Sequence, residues 1–262
     1  MKVSVCMASY NGEKYIKSQI SSILDQLGNN DELIISDDGS SDQTINIIES
    51  FNDERIILLN HKQNKDSRKN IYAHYLVSSN FENALKSSSG DFIFLADQDD
   101  IWVENKLDIM LPYLKQYSTV MSDCSIFDEK NVMISDSFFN NNINLPRGLF
   151  LNISKPLYHG CCMAFNKAVL DLALPFPKKM ILHDNWIGIL SERFGTVKFI
   201  DDKLVKYRRH YENSSFSQGK SKNTIIFKIR YRLELFSQVL KRIISIKIKR
   251  KFINNMEHKY LN

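Results

Sequence analysis

Short apolar runs alternate with helix-period segments through the first hundred residues of the chain. Runs rich in β-branched residues predict buried strands, and apolar residues that recur every three or four positions predict helices. The predicted strands are Lys2–Met7, Glu32–Ser36, Arg55–Leu59 and Asp91–Ala96, and the predicted helices are Glu13–Gln26, Ser41–Phe51 and one around Phe81–Ser87. Strands separated by such helices imply crossover connections, and therefore an α/β fold with a mostly parallel central sheet flanked by helices.

The pattern is less regular after residue 101. Apolar runs predict further strands at Val120–Phe127 and Leu157–Phe165, and the polar stretch Asn140–Asn144 predicts a loop between them. A helix is predicted at Asp184–Phe194 from four apolar residues that share one face. Two short runs, Val197–Ile200 and Leu204–Tyr207, predict a pair of strands.

Three polar segments follow predicted strands directly: Ala8–Asn11, Asp37–Gly39 and Asp97–Asp100. Parallel sheets bind their ligands beyond the carboxyl ends of the strands. The coincidence of three such segments therefore predicts one binding site at that edge of the sheet.

The segment Asp97–Asp100 places three carboxylates within four positions at the end of a strand. Like charges at this spacing raise one another's pKa unless a cation lies among them. Hard oxygen ligands favour Mg²⁺ or Mn²⁺, which commonly bridge a diphosphate. A solvated acidic turn is the structural alternative.

The segment Asp37–Gly39 predicts a tight turn, in which Gly39 supplies an unusual backbone angle and Ser41 or Asp42 caps the next helix. Helix capping alone is the structural alternative, although a cap needs only one of the two adjacent acids. One carboxylate is placed to accept the imide N–H of uracil or thymine. The sequence contains no dinucleotide fingerprint and no P-loop, which argues against dehydrogenases and P-loop enzymes.

Composition and charge narrow the class of protein. The 262 residues are 43% hydrophobic and 25% charged, as in a soluble globular domain. Four cysteines fit neither a zinc knuckle nor a disulfide framework, so a reducing cytosol is expected. Residues 1–8 are too short for a secretory signal, and no run of eighteen apolar residues predicts a transmembrane helix.

The charge is unevenly distributed. Residues 220–262 contain 12 Lys/Arg and 2 Asp/Glu, a balance of +10, whereas the remainder carries −5 of the total of +5. The apolar residues of this segment recur every three or four positions, which predicts a basic amphipathic helical tail. We expect the tail to lie on anionic lipid headgroups. A helix packed back on the body and a nucleic-acid contact are the alternatives, and the second is less favoured because few aromatics are interleaved with the basic residues.

Taken in order, these segments resemble the family-2 glycosyltransferases, which share the GT-A nucleotide-diphosphosugar transferase fold. Val3–Glu13 is similar to the opening strand and loop of that family, Asp37–Ser40 to its base-recognising turn, and Asp97–Asp100 to its metal motif. The resemblance covers about residues 1–215. It implies a nucleotide-binding half, 1–100, and an acceptor-binding half, 101–215, before the tail at 216–262.

The resemblance also implies roles for single residues. Ala8 and Tyr10 would pack around the nucleotide base, Asp38 would hold its N–H, Asp97 would face the ribose and Asp99 would bind the metal. The residues expected at the donor are Ala8, Tyr10, Glu13, Asp38, Asp97, Gln98, Arg208 and Arg209.

Two later segments acquire roles from the same resemblance. Asp184 stands where the family has its catalytic base, although His183 replaces the usual glutamate. The residues alone also fit a helix N-terminus stabilised by the helix dipole. Arg208 and Arg209 are expected at the diphosphate and His210 at the metal, with an exposed basic hairpin end as the alternative. His159–Met163 either lines the sugar pocket or packs in the core.

The resemblance implies a metal-dependent inverting glycosyltransferase. The His183-Asp184 pair, together with Asp97–Trp102 and Tyr207–Ser214, looks like the rhamnosyltransferase branch. The expected donor is dTDP-L-rhamnose, with UDP-glucose, UDP-galactose and UDP-GlcNAc as alternatives. The expected acceptor is a lipid-linked saccharide of O-antigen, capsule or another surface polysaccharide. We expect a cytoplasmic enzyme that associates peripherally with the inner face of the cytoplasmic membrane through residues 220–262. The rivals are a nucleic-acid-binding protein and a non-catalytic partner that binds nucleotide sugars.

Overall fold

The computed structural model describes residues 1–61, 73–140, 143, 146–178, 180, 182–210 and 225–260. In this part of the chain one sheet contains nine strands. They are β1 (Val3–Ser9), β2 (Glu32–Asp37), β3 (Ile56–Asn60), β4 (Phe92–Asp97), β5 (Ile101–Trp102), β6 (Thr119–Asp128), β7 (Met133–Ser135), β8 (Met163–Asn166) and β9 (Val197–Arg209). The helices are α1 (Ile16–Leu24), α2 (Thr44–Glu49), α3 (Ala73–Ser87), α4 (Lys106–Leu114), α5 (Leu149–Ser154), α6 (Lys167–Ala173), α7 (His183–Phe194) and α8 (Ile225–Tyr260).

The first four long strands form a parallel block in the order β3-β2-β1-β4. The apolar residues of β1, β2 and β4 are buried or nearly so on both faces, as expected where helices cover a parallel sheet on each side, whereas those of the edge strand β3 are partly exposed. At the carboxyl ends Ser9 pairs with Asp37, and Ala8 pairs with Asp97. The three polar segments predicted to share one edge of the sheet are therefore neighbours.

The rest of the sheet continues from β4 through β8, β6 and β9 to β5. β8 is antiparallel to both β4 and β6, whereas β9 runs parallel to β6 and antiparallel to β5. Because β5 directly follows the acidic segment after β4, the pairing of Ile101 with Lys206 brings the end of β9 close to that segment. The α/β fold with a mostly parallel sheet flanked by helices is confirmed.

Two sequence predictions in the second half are wrong. The strand expected at Leu157–Phe165 is confined to β8, and a 3-10 turn, Gly160–Cys162, precedes it. A continuous apolar run signals burial in either structure and does not distinguish them. The strand pair expected after residue 197 is the single strand β9, whose register with β6 shifts near Asp201 without ending the strand.

The tail contains one long helix, α8, whose inner face packs on the body. Leu235 and Val239 are buried, and the Arg242 guanidinium donates to the carbonyl oxygens of Leu172 and Leu174. The outer face of the helix remains exposed. Among the described helices, none is long and apolar enough to cross a membrane. Residues 211–224, where the 215/216 boundary and the end of the Tyr207–Ser214 segment fall, and most of the Asn140–Asn144 loop lie outside the described residues.

Candidate active site

The loops after β1 and β4 are joined by a two-way hydrogen bond between Tyr10 and Gln98. The Tyr10 N–H donates to Gln98 Oε1 at 2.9 Å, and Gln98 Nε2 donates to the Tyr10 carbonyl oxygen at 3.1 Å. Gly12 permits this approach, because a Cβ at that position would lie 2.3 Å from Gln98 Oε1. The Tyr10 side chain is 41% exposed beside this junction, and so it is available to a planar ligand.

The two acids of the turn after β2, Asp37 and Asp38, make different contacts. Asp37 holds the turn together, because its carboxylate accepts hydrogen bonds from the Ser40 N–H, the Ser40 hydroxyl and the Ser9 hydroxyl. Asp38 is buried directly beyond the strand, and its N–H donates to the Ser9 carbonyl oxygen. Asp37 thus stabilises the turn itself, and the contact of Asp38 with the nucleotide base stays a prediction.

Glu13 also has a structural contact. Its Oε2 accepts from the Gln43 N–H at 2.9 Å, and the Glu13 N–H donates to Asp42 Oδ2. The carboxylate thereby satisfies a backbone donor at the start of α2. This contact gives Glu13 a structural role, and its contact with the donor stays a prediction.

Three carboxylates lie at and beyond the end of β4. Burial, together with the charges of Asp99 and Asp184, raises the pKa of Asp97 to about 8. Burial and the charges of Asp99 and Asp97 raise the pKa of Asp100 well above its usual range. Asp100 is completely buried, and its Oδ1 accepts the Arg208 N–H at 2.9 Å. Crowded acids of this kind bind a proton or a cation, and they often mark a functional site.

The end of β9 closes over this acidic segment. His210 Nε2 lies 2.7 Å from Asp99 Oδ2, and Arg208 Nε donates to the Asp99 carbonyl oxygen at 3.0 Å. Arg208 also donates to Asn131 Oδ1, and its guanidinium lies 4.8 Å from the Tyr15 ring. The structure therefore brings together the two predicted metal ligands, whereas the Arg208 side chain is largely engaged with protein groups. Arg209 is half-buried next to it.

Sequence reasoning missed a buried cation behind these acids. Lys106, in the first turn of α4, is completely buried, and its Nζ donates to the Cys161 carbonyl oxygen at 2.8 Å. The Nζ also lies 4.4 Å from the Trp102 ring. Burial lowers the pKa of Lys106, while the nearby thiols and the Asp100 carboxylate act in the opposite direction. The sequence signal was the lysine four residues after Trp102, at the start of a helix that was not predicted.

Asp184 lies in the first turn of α7, at the other side of the site. Its Oδ1 accepts the Asn185 N–H at 2.7 Å, and the carboxylate is half-buried. The contribution of Asp184 to the raised pKa of Asp97 places the two charges in one electrostatic neighbourhood. A Cβ built at Gly160 would lie 3.7 Å from Asp184 Cβ, so the His159–Met163 segment does approach the predicted base.

His183, the departure from the usual family pattern, packs inward. Its Nδ1 lies 3.2 Å from the Ser78 hydroxyl, and its ring stacks on Phe81 at a centroid distance of 4.3 Å. Burial lowers the pKa of His183, so the ring is neutral at physiological pH. His183 ties the start of α7 to α3 and thereby fixes the position of the neighbouring Asp184.

The residues present fit a hard divalent cation. Asp97, Asp100 and Cys161 offer ligand atoms within 4.8 Å of one another, and Asp99 and His210 lie beside them. A hydrogen bond with Cys162 and burial raise the pKa of the Cys161 thiol well above its usual range, and a protonated thiol is a poor ligand. Carboxylate oxygens with one imidazole remain, a set that suits Mg²⁺ or Mn²⁺.

Comparison with known proteins decides the family. The family model described as glycosyl transferase family 2 matches residues 4–172, which include β1 to β4 and the acidic segment. The chain belongs to glycosyl transferase family 2. Within this family, it is 32% identical over 229 residues to the UDP-Glc:alpha-D-GlcNAc-diphosphoundecaprenol beta-1,3-glucosyltransferase WfgD of Escherichia coli, covering 84% of this chain and 81% of that protein. It is 28% identical over 251 residues to the dTDP-rhamnosyl transferase RfbG of Shigella flexneri, covering 86% of this chain and 77% of that one.

Solved structures agree on the fold. The crystal structure of Staphylococcus aureus TarS 1–349 in complex with UDP-GlcNAc superposes with a TM-score of 0.63 at 18% identity. The match covers 90% of this chain and 66% of that one, so this family-2 chain spans slightly under two thirds of the TarS fragment. The likeness identifies the architecture as the GT-A fold.

Proposed function

We propose that this family-2 chain transfers a sugar from a nucleotide diphosphate to an acceptor hydroxyl, with inversion at the anomeric carbon. One observation carries the proposal: the ends of β1, β2 and β4 and the end of β9 meet at one edge of the sheet. That edge carries the turn proposed to recognise the base, a crowded set of acids and Asp184. The arrangement offers a place for each part of a nucleotide-diphosphate sugar.

The donor would lie across the ends of the parallel strands. Tyr10 would stack on the base beside Ala8, Asp38 would accept the base N–H, and Asp97 and Gln98 would face the ribose. Arg209 would contact the diphosphate, and Arg208 would add positive charge beside it. Because Asp37 already holds the β2 turn, Asp38 is the better of the two acids for the base.

Asp184 would act as the general base. It would take the proton from the acceptor hydroxyl, whose oxygen then attacks the anomeric carbon opposite the leaving diphosphate. The C–O bond to the acceptor forms as the bond to the diphosphate oxygen breaks, so the nucleoside diphosphate leaves with the bonding electrons. Hydrogen bonding to the Asn185 N–H and packing of His183 on Phe81 hold the carboxylate in a fixed position.

Asp99 and His210 would hold a divalent metal, with Asp97 beside them. The metal would supply charge stabilisation for the departing diphosphate. The buried Lys106 braces the site from behind through its hydrogen bond to the Cys161 carbonyl oxygen, and the Arg208 N–H holds Asp100 in place.

The relatives suggest which donor and acceptor to test. The Escherichia coli relative is named for UDP-glucose and a diphosphoundecaprenol acceptor, and the Shigella relative for a dTDP-rhamnosyl donor. We propose UDP-glucose and dTDP-L-rhamnose as the first two donors, and a lipid-linked saccharide as the acceptor. We also propose that the enzyme works at the inner face of the cytoplasmic membrane, with the basic segment 220–262 as its contact.

A thermal-shift panel tests the donor site. UDP-glucose, dTDP-L-rhamnose, UDP-galactose and UDP-GlcNAc are each added with and without Mn²⁺, and the melting temperature is measured. A donor at 100 times its Kd should stabilise the fold by about 2.7 kcal/mol. The expected result is a metal-dependent shift with one or two donors.

The panel is then repeated with Asp99→Ala, which removes a proposed metal ligand, and with Asp108→Ala, which removes an exposed carboxylate on α4. The shift should disappear in the first variant and persist in the second. A folded wild-type protein that responds to none of the donors would contradict the proposal.

A further inference from the structure

The long helix α8 is neither a free tail nor fully packed. Its inner face is held by the buried Leu235 and Val239 and by the contacts of Arg242 with α6. In addition, the Arg232 guanidinium donates to the Ser154 carbonyl oxygen at the end of α5 at 2.9 Å. These contacts fix the rotation of the helix about its axis, so the opposite side faces away from the body.

That outer side carries a regular apolar stripe. Ile229, Leu233, Leu240 and Ile244 are between 37% and 63% exposed. At 3.6 residues per turn these four positions fall within roughly 60° of helix surface. Scattered exposed apolar residues need no explanation, but an aligned set on a docked helix indicates an interaction surface.

The short helix α5 extends this stripe. Phe150 and Leu151 are 76% and 52% exposed, and the Phe150 ring lies 6.0 Å from that of Phe236 on α8. Phe236 is one helical turn from both Leu233 and Leu240, so α5 and α8 present one continuous apolar surface. We call this surface the α5–α8 face; its residues are Phe150, Leu151, Ile229, Leu233, Leu240 and Ile244.

The charges around the face are mostly positive. Residues 225–260 contain 10 Lys/Arg and 2 Asp/Glu, and Arg230, Lys241 and Lys247 are exposed next to the stripe. An apolar stripe bordered by cations matches the interface of an anionic bilayer, where each basic residue near the surface contributes about 1 kcal/mol. A protein partner would not require this excess of positive charge.

The face lies close to the proposed catalytic base. Asn152, the neighbour of Leu151 on α5, accepts through its carbonyl oxygen a hydrogen bond from Asn185 Nδ2 at 2.9 Å. Asn185 directly follows Asp184 and donates its N–H to that carboxylate. A bilayer touching α5 would therefore hold a lipid-linked hydroxyl within a short distance of Asp184.

We propose that α5 and α8 together form a lipid-contact surface that seats the folded body side-on against an anionic bilayer. Phe150 and Leu151 insert among the acyl chains near the catalytic base, and the cations of α8 contact the headgroups. The role of this surface in presenting a lipid-linked acceptor rests on the proposed function, whereas the contact between the surface and lipid does not.

Vesicle sedimentation of the full chain tests this surface. The vesicles are phosphatidylcholine alone, or phosphatidylcholine with about one third phosphatidylglycerol, which supplies the anionic headgroups. The variant Phe150→Ser/Leu151→Ser is compared with Met133→Ser/Ile134→Ser, which changes two similarly exposed residues on β7. We expect binding only to the anionic vesicles, at least about tenfold weaker in the first variant and unchanged in the second, because tenfold corresponds to about 1.4 kcal/mol of lost apolar burial.

Several outcomes would contradict the proposal that α5 and α8 form a lipid-contact surface. One is a wild-type protein that stays in solution with anionic vesicles, and another is equal binding by both variants. Binding to RNA that depends on Arg230 and Lys241 but not on Phe150 would assign the face to nucleic acid. Donor-induced thermal shifts are measured on the same samples, so a silent donor panel contradicts the proposed function without affecting the vesicle result.

Discussion

The two halves of the domain build their parts of the site in different ways. In residues 1–100 every proposed donor contact lies at or directly after the carboxyl end of a parallel strand, and neighbouring loops are joined by hydrogen bonds such as the pair between Tyr10 and Gln98. In residues 101–210 the proposed catalytic and metal groups come from the start of α7 and the far end of β9. The end of β9 reaches the same edge of the sheet through long-range strand pairing, and the start of α7 reaches it through packing on α3.

Under the proposed function, this difference places most donor contacts in the first half and the catalytic base in the second. The first half forms a continuous cradle from local sequence, which suits a nucleotide common to many donors. The second half carries the groups proposed to act on the sugar and the acceptor, and the position of Asp184 depends on packing such as that of His183 on Phe81. Variants in one half should therefore leave the contribution of the other half measurable.

Asp184→Asn is expected to have the largest effect. The amide cannot accept the acceptor's proton, so turnover should fall by about 10²–10⁴-fold. The proposed donor and metal contacts do not include Asp184, so donor binding should persist, with the metal-dependent thermal shift retained. Transfer of radiolabelled sugar and the thermal shift are measured side by side.

The matched control for this variant is Asp171→Asn, which changes an exposed carboxylate on α6. It should keep wild-type turnover. Near-wild-type transfer by Asp184→Asn would remove Asp184 as the base, and loss of the donor shift would show that the halves are not separable.

Asp99→Ala should affect both halves, because Asp99 belongs to the first half and contacts His210 from the second. A charge pair near 4 Å at an effective dielectric of 20 is worth about 4 kcal/mol. At roughly 1.4 kcal/mol per decade, its loss corresponds to about a thousandfold in rate. Steady-state transfer across a Mn²⁺ titration measures the loss, and a rate that remains near wild type without added metal would contradict metal binding at Asp99.

His210→Gln tests the same metal site through a residue of the second half. The imidazole supports the metal on Asp99, so its replacement should weaken the apparent metal affinity by about 10- to 100-fold. Saturating Mn²⁺ should restore most of the activity, because the base and the donor cradle are intact. Lys206→Gln, an exposed position on the same strand, is the control and should leave the metal titration unchanged.

The sequence predicted the first half well because its chemistry is local. A buried strand, a polar turn and a helix recur there, and parallel pairing aligns the turns without further information. The end of β9 illustrates what was missed. Nothing in the run from Val197 to Arg209 reveals that the strand continues past Asp201 and Asp202, since a shift in strand register is a property of the pairing with β6.

The burial of Lys106 and the packing of the tail helix were missed for related reasons. Lys106 is buried because acids, thiols and a carbonyl oxygen from distant segments surround it, and no local pattern encodes that environment. The amphipathic pattern of the tail predicted a helix correctly. It did not indicate that Leu235 and Val239 face the body while the neighbouring stripe faces solvent, or that α5 extends the stripe.

Asp97→Asn should have the smallest of the expected effects, a change in melting temperature that depends on pH. Burial and the nearby acids raise the pKa of Asp97 to about 8, against about 3.9 in an unfolded chain. The folded state therefore holds more protons between these values, and its stability falls as the pH rises through that window. The asparagine variant cannot ionise, so its metal-free melting temperature should match wild type near pH 4 and exceed it by a few degrees near pH 8. Added Mn²⁺ should cancel this advantage, since a cation offsets the crowded charge in wild type only. Melting curves that coincide at every pH would indicate that the acids at the end of β4 are not crowded, and the first half of the site would lose its main electrostatic feature.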